Sequence, residues 1–406
     1  MYNKNMFGEN NNIAKIINDV KARGDKAVAE YTLKFDRVNI YPEDFLLSQQ
    51  ELDTAVDKID TNLKHAINHA AENIEFFHKC ERNKITKSWK YSNKGKTVGQ
   101  IVKPVETICV YIAGGKYAYY PSIVLMTVIP ARIAGVKNIY IATPPANITP
   151  SVLYASKAAK VDKVFRVGGP QAIAGFAFGT QTLPKADMII GPGSSYVTEA
   201  KRQLFGNVGI DLIAGPSEVA LICDSSSNPV YIAYDLLAQI EHSPDAKGYL
   251  FCDSKRVIEK VKKLIEKEIK KNKEDIPHLS VKRQIIMDCC SLQQSIDKVN
   301  KIAPEHLQIM HRGAKSIVSK IKNAGAVFIG KYSPVAAGDY YAGPSHTLPT
   351  AGTARFSSGL SVQTFMKKTS YIEYDNKALK RDSKDIIQLA YTEGLRMHGK
   401  SVKVRT

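Results

Sequence analysis

Residues 138–167 read NIYIATPPANITPSVLYASKAAKVDKVFRV. Asn138 to Ala142 is an apolar run of strand length. Thr149-Pro150 places a capping hydroxyl before a proline at the first helical position, opening a helix to about Lys160. Val164 to Val167 is the next apolar run. Strand, helix and strand at this spacing define a parallel βαβ unit with a right-handed crossover.

The alternation extends in both directions. Upstream, Ile108 to Ile112 is a strand and residues 122–134 are a buried helix carrying Pro130. Downstream, residues 170–178 are helical and Met188 to Ile190 is a strand. A second series places strands at Val219–Cys223, Tyr249–Cys252, Ile285–Met287, His306–Met310 and Val327–Ile329. Helices are expected between them at 229–242, 254–272, 291–302 and 313–323. Ahead of both series, residues 13–36 predict two helices broken at Gly24-Asp25. From 51 to 78, Leu52, Val56, Ile59, Leu63, Ile67, Ala70, Ile74 and Phe77 recur every three or four residues, which predicts one long amphipathic helix. Residues 79–103 lack clear periodicity apart from a short strand at Val98–Val102. Residues 334–353 form a Gly/Pro loop, and the tail holds a helix over 383–398.

The fold class expected is α/β, with two Rossmann-like parallel-sheet domains and small helical N-terminal and C-terminal extensions. The expected division is 1–106, a helical region joining the larger α/β domain; 107–214, the first α/β domain; 215–360, the second; and 361–406, the tail.

The 406 residues carry a formal charge of +18, with 44% hydrophobic and 24% charged residues. That composition is that of a soluble globular protein and argues against wholesale disorder. The excess sits in residues 79–103, 254–284 and 366–406, which carry +7, +6 and +5; the rest of the chain nets to zero. Such a balance raises nucleic-acid binding as one reading. The confinement of the charge to three segments favours a Lys-rich solvated surface instead. No apolar run approaches a membrane span and the N-terminus has no apolar signal region, so neither membrane nor export is expected. Six cysteines without a CxxC pair suggest reduced, mostly buried thiols in the cytoplasm.

Neither G-x-G-x-x-G nor a P-loop occurs. Glycine pairs follow three expected strands, at Gly114-Gly115, Gly168-Gly169 and Gly191-Pro192-Gly193. Together they favour a ligand crevice at the carboxyl ends of one sheet. Nine histidines are present. His65 and His69 lie one helical turn apart but off the apolar face, as on a solvated surface. Gln239 and His242 share a helical face, with an amide and an imidazole that can form half of a metal site, and a plain helix terminus is the alternative. Glu305-His306, after Pro304 and before a strand, is a natural acid/base pair, and a plain surface dipeptide is the alternative. Asp339 and His346 lie in the Gly/Pro loop, and Glu393 and His398 end the last helix. Zinc takes His with oxygen ligands where an open coordination position is needed.

The stretches GPSEVALICD (215–224), DLLAQIEHSPDA (235–246), APEHLQIM (303–310) and AGDYYAGPSHTLPTAGTARFSSGLSV (337–362) closely resemble histidinol dehydrogenases. So do RGDKAVAEYTLKFD (23–36), VGGPQAIAGFAFGT (167–180) and EAKRQ (199–203), so the resemblance runs from about residue 13 to 400. It implies oxidation of L-histidinol through the aldehyde to L-histidine with two NAD+. It implies one Zn2+ per subunit at Gln239, His242, Asp339 and His398, and a domain-swapped homodimer in which His398 acts in trans. The residues matching the catalytic pair are Glu305 and His306. Substrate contacts match Ser217, His346 and Glu393, and the zinc ligands and His306 also surround the substrate. Cofactor contacts match Tyr111, Gln171 and Ser194, the last standing where the family usually has Asn. Ala113 replaces a usual proline, and Ser345 a usual Asn. The first α/β domain would be the NAD side, and the second would carry the zinc and acid/base residues. Two alternatives stand beside this reading: a related zinc and NAD dehydrogenase of another small polar alcohol, or a basic nucleic-acid-binding protein on a degenerate enzyme fold.

Overall fold

The computed structural model describes residues 6–113, 120–274 and 278–406. The Gly114-Gly115 pair lies outside the described residues. In chain order the strands are β1 (Trp89–Asn93), β2 (Lys96–Pro104), β3 (Thr107–Tyr111), β4 (Asn138–Ala142), β5 (Lys163–Phe165), β6 (Met188–Ile190), β7 (Gly209–Ile210), β8 (Glu218–Cys223), β9 (Lys247–Cys252), β10 (Ile285–Cys289), β11 (His306–Met310), β12 (Ala326–Ile329) and β13 (Met366–Tyr374). Two sheets are five-stranded, in the orders β5-β4-β3-β6-β7 and β10-β9-β8-β11-β12. Their strands pair in parallel throughout. Each order is third, second, first, fourth, fifth within its own series, the doubly wound pattern. The α/β class and the parallel sheets expected from the βαβ pattern are therefore present.

Alternation along one strand shows why a continuous apolar run becomes a central strand. In β8, Val219, Leu221 and Cys223 enter one core with Leu250 and Val261, while Ala220 and Ile222 enter another with Val299 and Ile309. Both faces are covered, as parallel sheets require. The charged stretch after β9 resolves in the same way. Ser254 caps the helix Lys255–Lys271, whose Val257, Val261 and Ile265 are buried while the lysines face solvent. The helices before residue 83 bring Ile13, Ile16, Ile17, Val20, Ala27 and Val28 into the core shared with Cys109, Tyr111 and Phe165 of the first sheet.

The chain divides into two compact units: Met1–Arg82 with Glu106–Thr364, and Asn83–Val105 with Phe365–Thr406. In the second unit β1, β2 and β13 form an antiparallel sheet, with Met366 opposite Pro104 and Tyr374 opposite Lys96. Two helices follow, Asn376–Thr392 and Arg396–Lys403. This unit carries sixteen Lys and Arg against five Asp and Glu, the larger part of the +18.

Several sequence expectations are corrected. The helix over 51–78 is two, Gln49–Asp57 and Thr61–Arg82. The Asp60 carboxylate accepts the Leu63 N–H at 3.1 Å, starting a new helix where the apolar stripe alone suggested continuity. The helix over 383–398 is also two, because Gly394 at φ 78° takes the left-handed conformation that ends helices. The 229–242 helix stops at Ile240, and residues 334–353 contain the short helix Val335–Tyr340. The 313–323 helix is confined to Ala314–Ile317 and a 3-10 turn. β1, β7, β13 and the helix Ser195–Leu204 were not anticipated. His65 and His69 are exposed, as expected, and among the described residues no helix is long and apolar enough to cross a membrane.

Candidate active site

The helix Leu292–Ile302 ends at Ala303, whose left-handed φ of 53° delivers Pro304 and Glu305 to the start of β11. Glu305 and His306 are 7% and 4% exposed. His306 Nδ1 lies 3.3 Å from the Glu218 carbonyl. A carbonyl only accepts, so in the neutral ring Nδ1 carries the hydrogen and Nε2 keeps its lone pair. Glu305 Oε2 accepts the Glu218 N–H at 3.0 Å and lies 3.5 Å from His306 Nδ1. One residue at the start of β8 thus fixes both members of the pair, the carboxylate through its N–H and the imidazole through its C=O. His306 Nε2 is 3.4 Å from Asp339 Oδ1, an ion-pair approach in which no hydrogen bond closes.

Ser217, His242, Glu305, His306, Asp339 and His346 line one cleft of about 230 Å3. The surface dipeptide alternative for Glu305-His306 is excluded by their burial. Burial pushes the Glu305 carboxyl up to about 7, against the opposing pull of His306 and the Glu218 N–H. Burial acts to lower His306, but Asp339 and Glu305 outweigh it and its pKa rises. His346 falls to about 4, chiefly through burial and secondarily through the His306 and His242 imidazoles. Solvent reaches His242 at the cleft, yet the surrounding protein lowers its pKa, against the nearby Asp339 carboxylate. Burial acts to raise Asp339, but the surrounding imidazoles, His306 first, hold it below the ordinary carboxylate range.

Gln239 occupies the last turn of the helix Pro229–Ile240, and His242 follows two residues past its end. Gln239 is buried, and its Nε2 has no partner among the described residues. It does not line the cleft as His242 does. An amide, an imidazole and the Asp339 carboxylate are N and O donors of the kind zinc accepts, and the negative end of the helix favours a cation. Among the described residues no three His, Cys, Asp or Glu side chains form a metal-holding group, so a metal here needs the Gln239 amide or a further ligand. Glu393 and His398 belong to the second unit, at the C-cap of one helix and in the first turn of the next.

A second cavity of about 590 Å3 opens where β3, β4, β5 and β6 end, lined by Tyr111, Pro144, Gly169, Pro170 and Ser194. The Tyr111 hydroxyl accepts the Gly169 N–H at 3.0 Å, and burial raises its pKa to about 12, so its own hydrogen stays available. Gly169 sits at φ 66°, and a Cβ there would meet Gln171 Oε1 at 2.5 Å. Gln171 is fully buried, with neither amide atom partnered among the described residues. Ser194 caps the helix Ser195–Leu204 through the Val197 N–H. A trough of about 910 Å3 shares Ile13 and Tyr196 with this cavity, and Pro192, Gly193, Ser217 and His242 with the catalytic cleft.

Sequence reasoning missed three supports. Glu218 lies in the quoted GPSEV run, where an acid at the first position of a buried strand was the available signal. Gly325 lies against Glu305, whose carbonyl a Cβ would meet at 2.5 Å. Lys201 pairs with Asp211, and the two grip Gly191 by its carbonyl at 2.9 Å and its N–H at 2.8 Å.

The sequence model of histidinol dehydrogenase matches residues 3–406. A histidinol dehydrogenase of Methanocaldococcus jannaschii is 43% identical over 397 residues, covering 97% of this chain and 91% of the relative. One from Streptococcus mutans is 42% identical over 400 residues, covering 97% and 92%. The crystal structure of histidinol dehydrogenase from Elizabethkingia anophelis superposes with a TM-score of 0.89 at 36% identity, covering 97% and 91%. The resemblance carried by the quoted motifs thus extends over the whole chain, and the chain belongs to the histidinol dehydrogenase family.

Proposed function

We propose that the protein oxidises L-histidinol through L-histidinal to L-histidine with two NAD+, the closing steps of histidine biosynthesis. The observation that carries this reading is the convergence of Ser217, His242, Glu305, His306, Asp339 and His346, from separate segments, on one cleft. Family membership disfavours both the other-alcohol and the nucleic-acid alternatives.

When bound, NAD+ supplies the hydride acceptor and zinc a template that anchors the polar groups of the substrate. His306 Nε2, left basic by the Nδ1 hydrogen bond to Glu218, takes the alcohol proton. The Asp339 charge beside it stabilises the imidazolium that results. Glu305, with a carboxyl pushed up to about 7, exchanges a proton with water near neutrality and so hydrates the aldehyde. Once His306 has released the first proton to solvent, it accepts the proton of the second oxidation. Ser217, His346 and Glu393 hold the polar ends of the substrate. Gln239, His242, Asp339 and His398 hold the zinc, which also sets them around the substrate. Tyr111, Gln171 and Ser194 serve the cofactor.

We place His398 in the site of the other subunit of a domain-swapped homodimer. The second unit supports that reading, because it leaves Ile372 71%, Met397 67% and Val404 79% exposed, apolar surface suited to a partner copy. The chain divides functionally into the helical region 1–106, the NAD side over 107–214, the zinc and acid/base side over 215–360 and the swapped tail over 361–406. It acts in the cytoplasm, without nucleic acid or membrane as partner.

The test is zinc content together with histidinol-dependent NADH formation. Gln239→Ala and His398→Ala each lower both, and mixing the two variants restores a fraction of the activity. Zinc-loaded wild type that makes no NADH from histidinol overturns the reading, and a mixture with no recovery overturns the contribution in trans.

A further inference from the structure

The 590 Å3 cavity holds a carboxylate that the mechanism does not use. The helix Asp25–Asp36 ends at Asp36, and Arg37, at φ 60°, turns the chain away and leaves Asp36 on the cavity wall. Asp36 Oδ2 is buried and has no partner among the described residues. Burial raises its carboxyl above the ordinary range, and it stands near enough to Tyr111 for its charge to act on the phenol. A buried acceptor of this kind is costly unless a ligand supplies donors.

The surrounding wall matches the other parts of a dinucleotide. Tyr31 and Phe35, one helical turn apart, stack with centroids 5.7 Å apart and planes within 9°, and Phe35 remains 47% exposed. Lys15 and Lys34 line the same cavity. In doubly wound folds an acid beyond the second strand commonly receives the ribose hydroxyls. Here β4 is followed by Thr143-Pro144-Pro145, which carries no acid.

We infer that Asp36 takes over that task from the helix ahead of the sheet. It accepts the hydroxyls of the adenosine ribose and sets the preference for NAD+ over NADP+. The inference rests on the reading of this cavity as the cofactor site. A 2′-phosphate would bring a dianion against an unpaired carboxylate, a repulsive device of the kind that gives specificity. With that carboxylate neutralised, Lys15 and Lys34 remain to receive the phosphate.

The experiment measures equilibrium binding of NAD+ and NADP+ by calorimetry to full-length wild type, Asp36→Asn and Asp36→Ser, with Ser194→Trp as a variant that fills the cavity. Thermal unfolding checks that each variant is folded, and Asp36→Ser stands in if Asp36→Asn is not. The expected result is a wild-type preference for NAD+ that falls by roughly ten- to a hundredfold in the Asp36 variants, the loss of a hydrogen bond to a charged group. A folded Asp36 variant with an unchanged preference overturns the inference. If Ser194→Trp has meanwhile lost NAD+ binding, the cofactor site stands and only the role of Asp36 falls. If Ser194→Trp binds NAD+ like wild type, the cofactor-site reading itself fails and takes the inference with it.

Discussion

The two five-stranded sheets share one strand order and use opposite ends. The first follows the usual rule for open α/β sheets: its cavity opens beyond the carboxyl ends of β3 and β6, at the point where the strand order reverses. In the second sheet the corresponding carboxyl-end position, between β8 and β11, is filled by the protein itself. Asp224 is fully buried there, its Oδ1 accepting the Ser226 N–H at 2.9 Å and its Oδ2 the Arg312 N–H at 2.9 Å. The chemistry sits at the other end, where Ser217 precedes β8, Glu305 precedes β11 and Gly325 precedes β12. At this strand start the Glu218 N–H is held by the Glu305 carboxylate and its C=O faces His306 Nδ1, so one residue orients the catalytic pair. Strand order alone therefore does not say which end of a sheet carries the site.

Removing the base at the working end of the second sheet has the largest expected effect. His306→Asn lowers kcat by roughly 10²–10⁴-fold with little change in thermal stability, measured by NADH formation. An effect below that range would transfer the role of base to another group. At the working end of the first sheet, Lys201→Met removes the counter-charge of the buried Asp211 side chain. Urea unfolding should show a loss of about 3–5 kcal/mol, as for other broken buried pairs. Gly325→Ala pushes on the Glu305 carbonyl and should reduce kcat about a hundredfold through misplacement of the pair. An active Gly325→Ala enzyme would mean that the strand start can yield.

The closed end of the second sheet gives the smallest effect. Asp224→Asn should cost about 1.5–3 kcal/mol while sparing kcat. Burial acts to raise the Asp224 carboxyl, but hydrogen bonds from Ser226 and Arg312 outweigh it and hold it below the ordinary range. Its folded pKa is thus lower than its unfolded one. The stabilisation is complete above about pH 5 and drains away as the pH falls, so the gap between wild type and Asp224→Asn narrows in acid. A gap that widens in acid would reverse the assignment.

The sequence made this comparison only half visible. The strands of both sheets were legible because apolar runs such as Val219–Cys223 are buried on both faces. Glu305-His306 was legible because Pro304 and the following strand fix a junction. Glu218 was not, because its contribution is a backbone N–H and C=O that any residue carries. The β1–β2 hairpin escaped because all of β1 is exposed, so it has no apolar alternation. Its signal was the turn, where Lys94 at φ 48° and Gly95 at φ 81° join the strands in two residues. Placing Glu393 and His398 at the end of a single helix failed at Gly394, whose isolated position inside an otherwise periodic pattern was the available warning.

The pairing of β13 with β2 has a consequence for synthesis. Met366 lies opposite Pro104, 262 residues earlier. At roughly 5–20 residues per second, the ribosome leaves β2 without its second neighbour for on the order of 10–50 s. A waiting strand edge is an invitation to pair with another nascent chain. Lys90, Lys94, Lys96 and Lys103 stand along that hairpin, with no acid between Asn83 and Val105. Lysines along an open edge disfavour pairing with a second copy, so this part of the basic excess lies on the edge that stays open until the last tenth of the chain arrives.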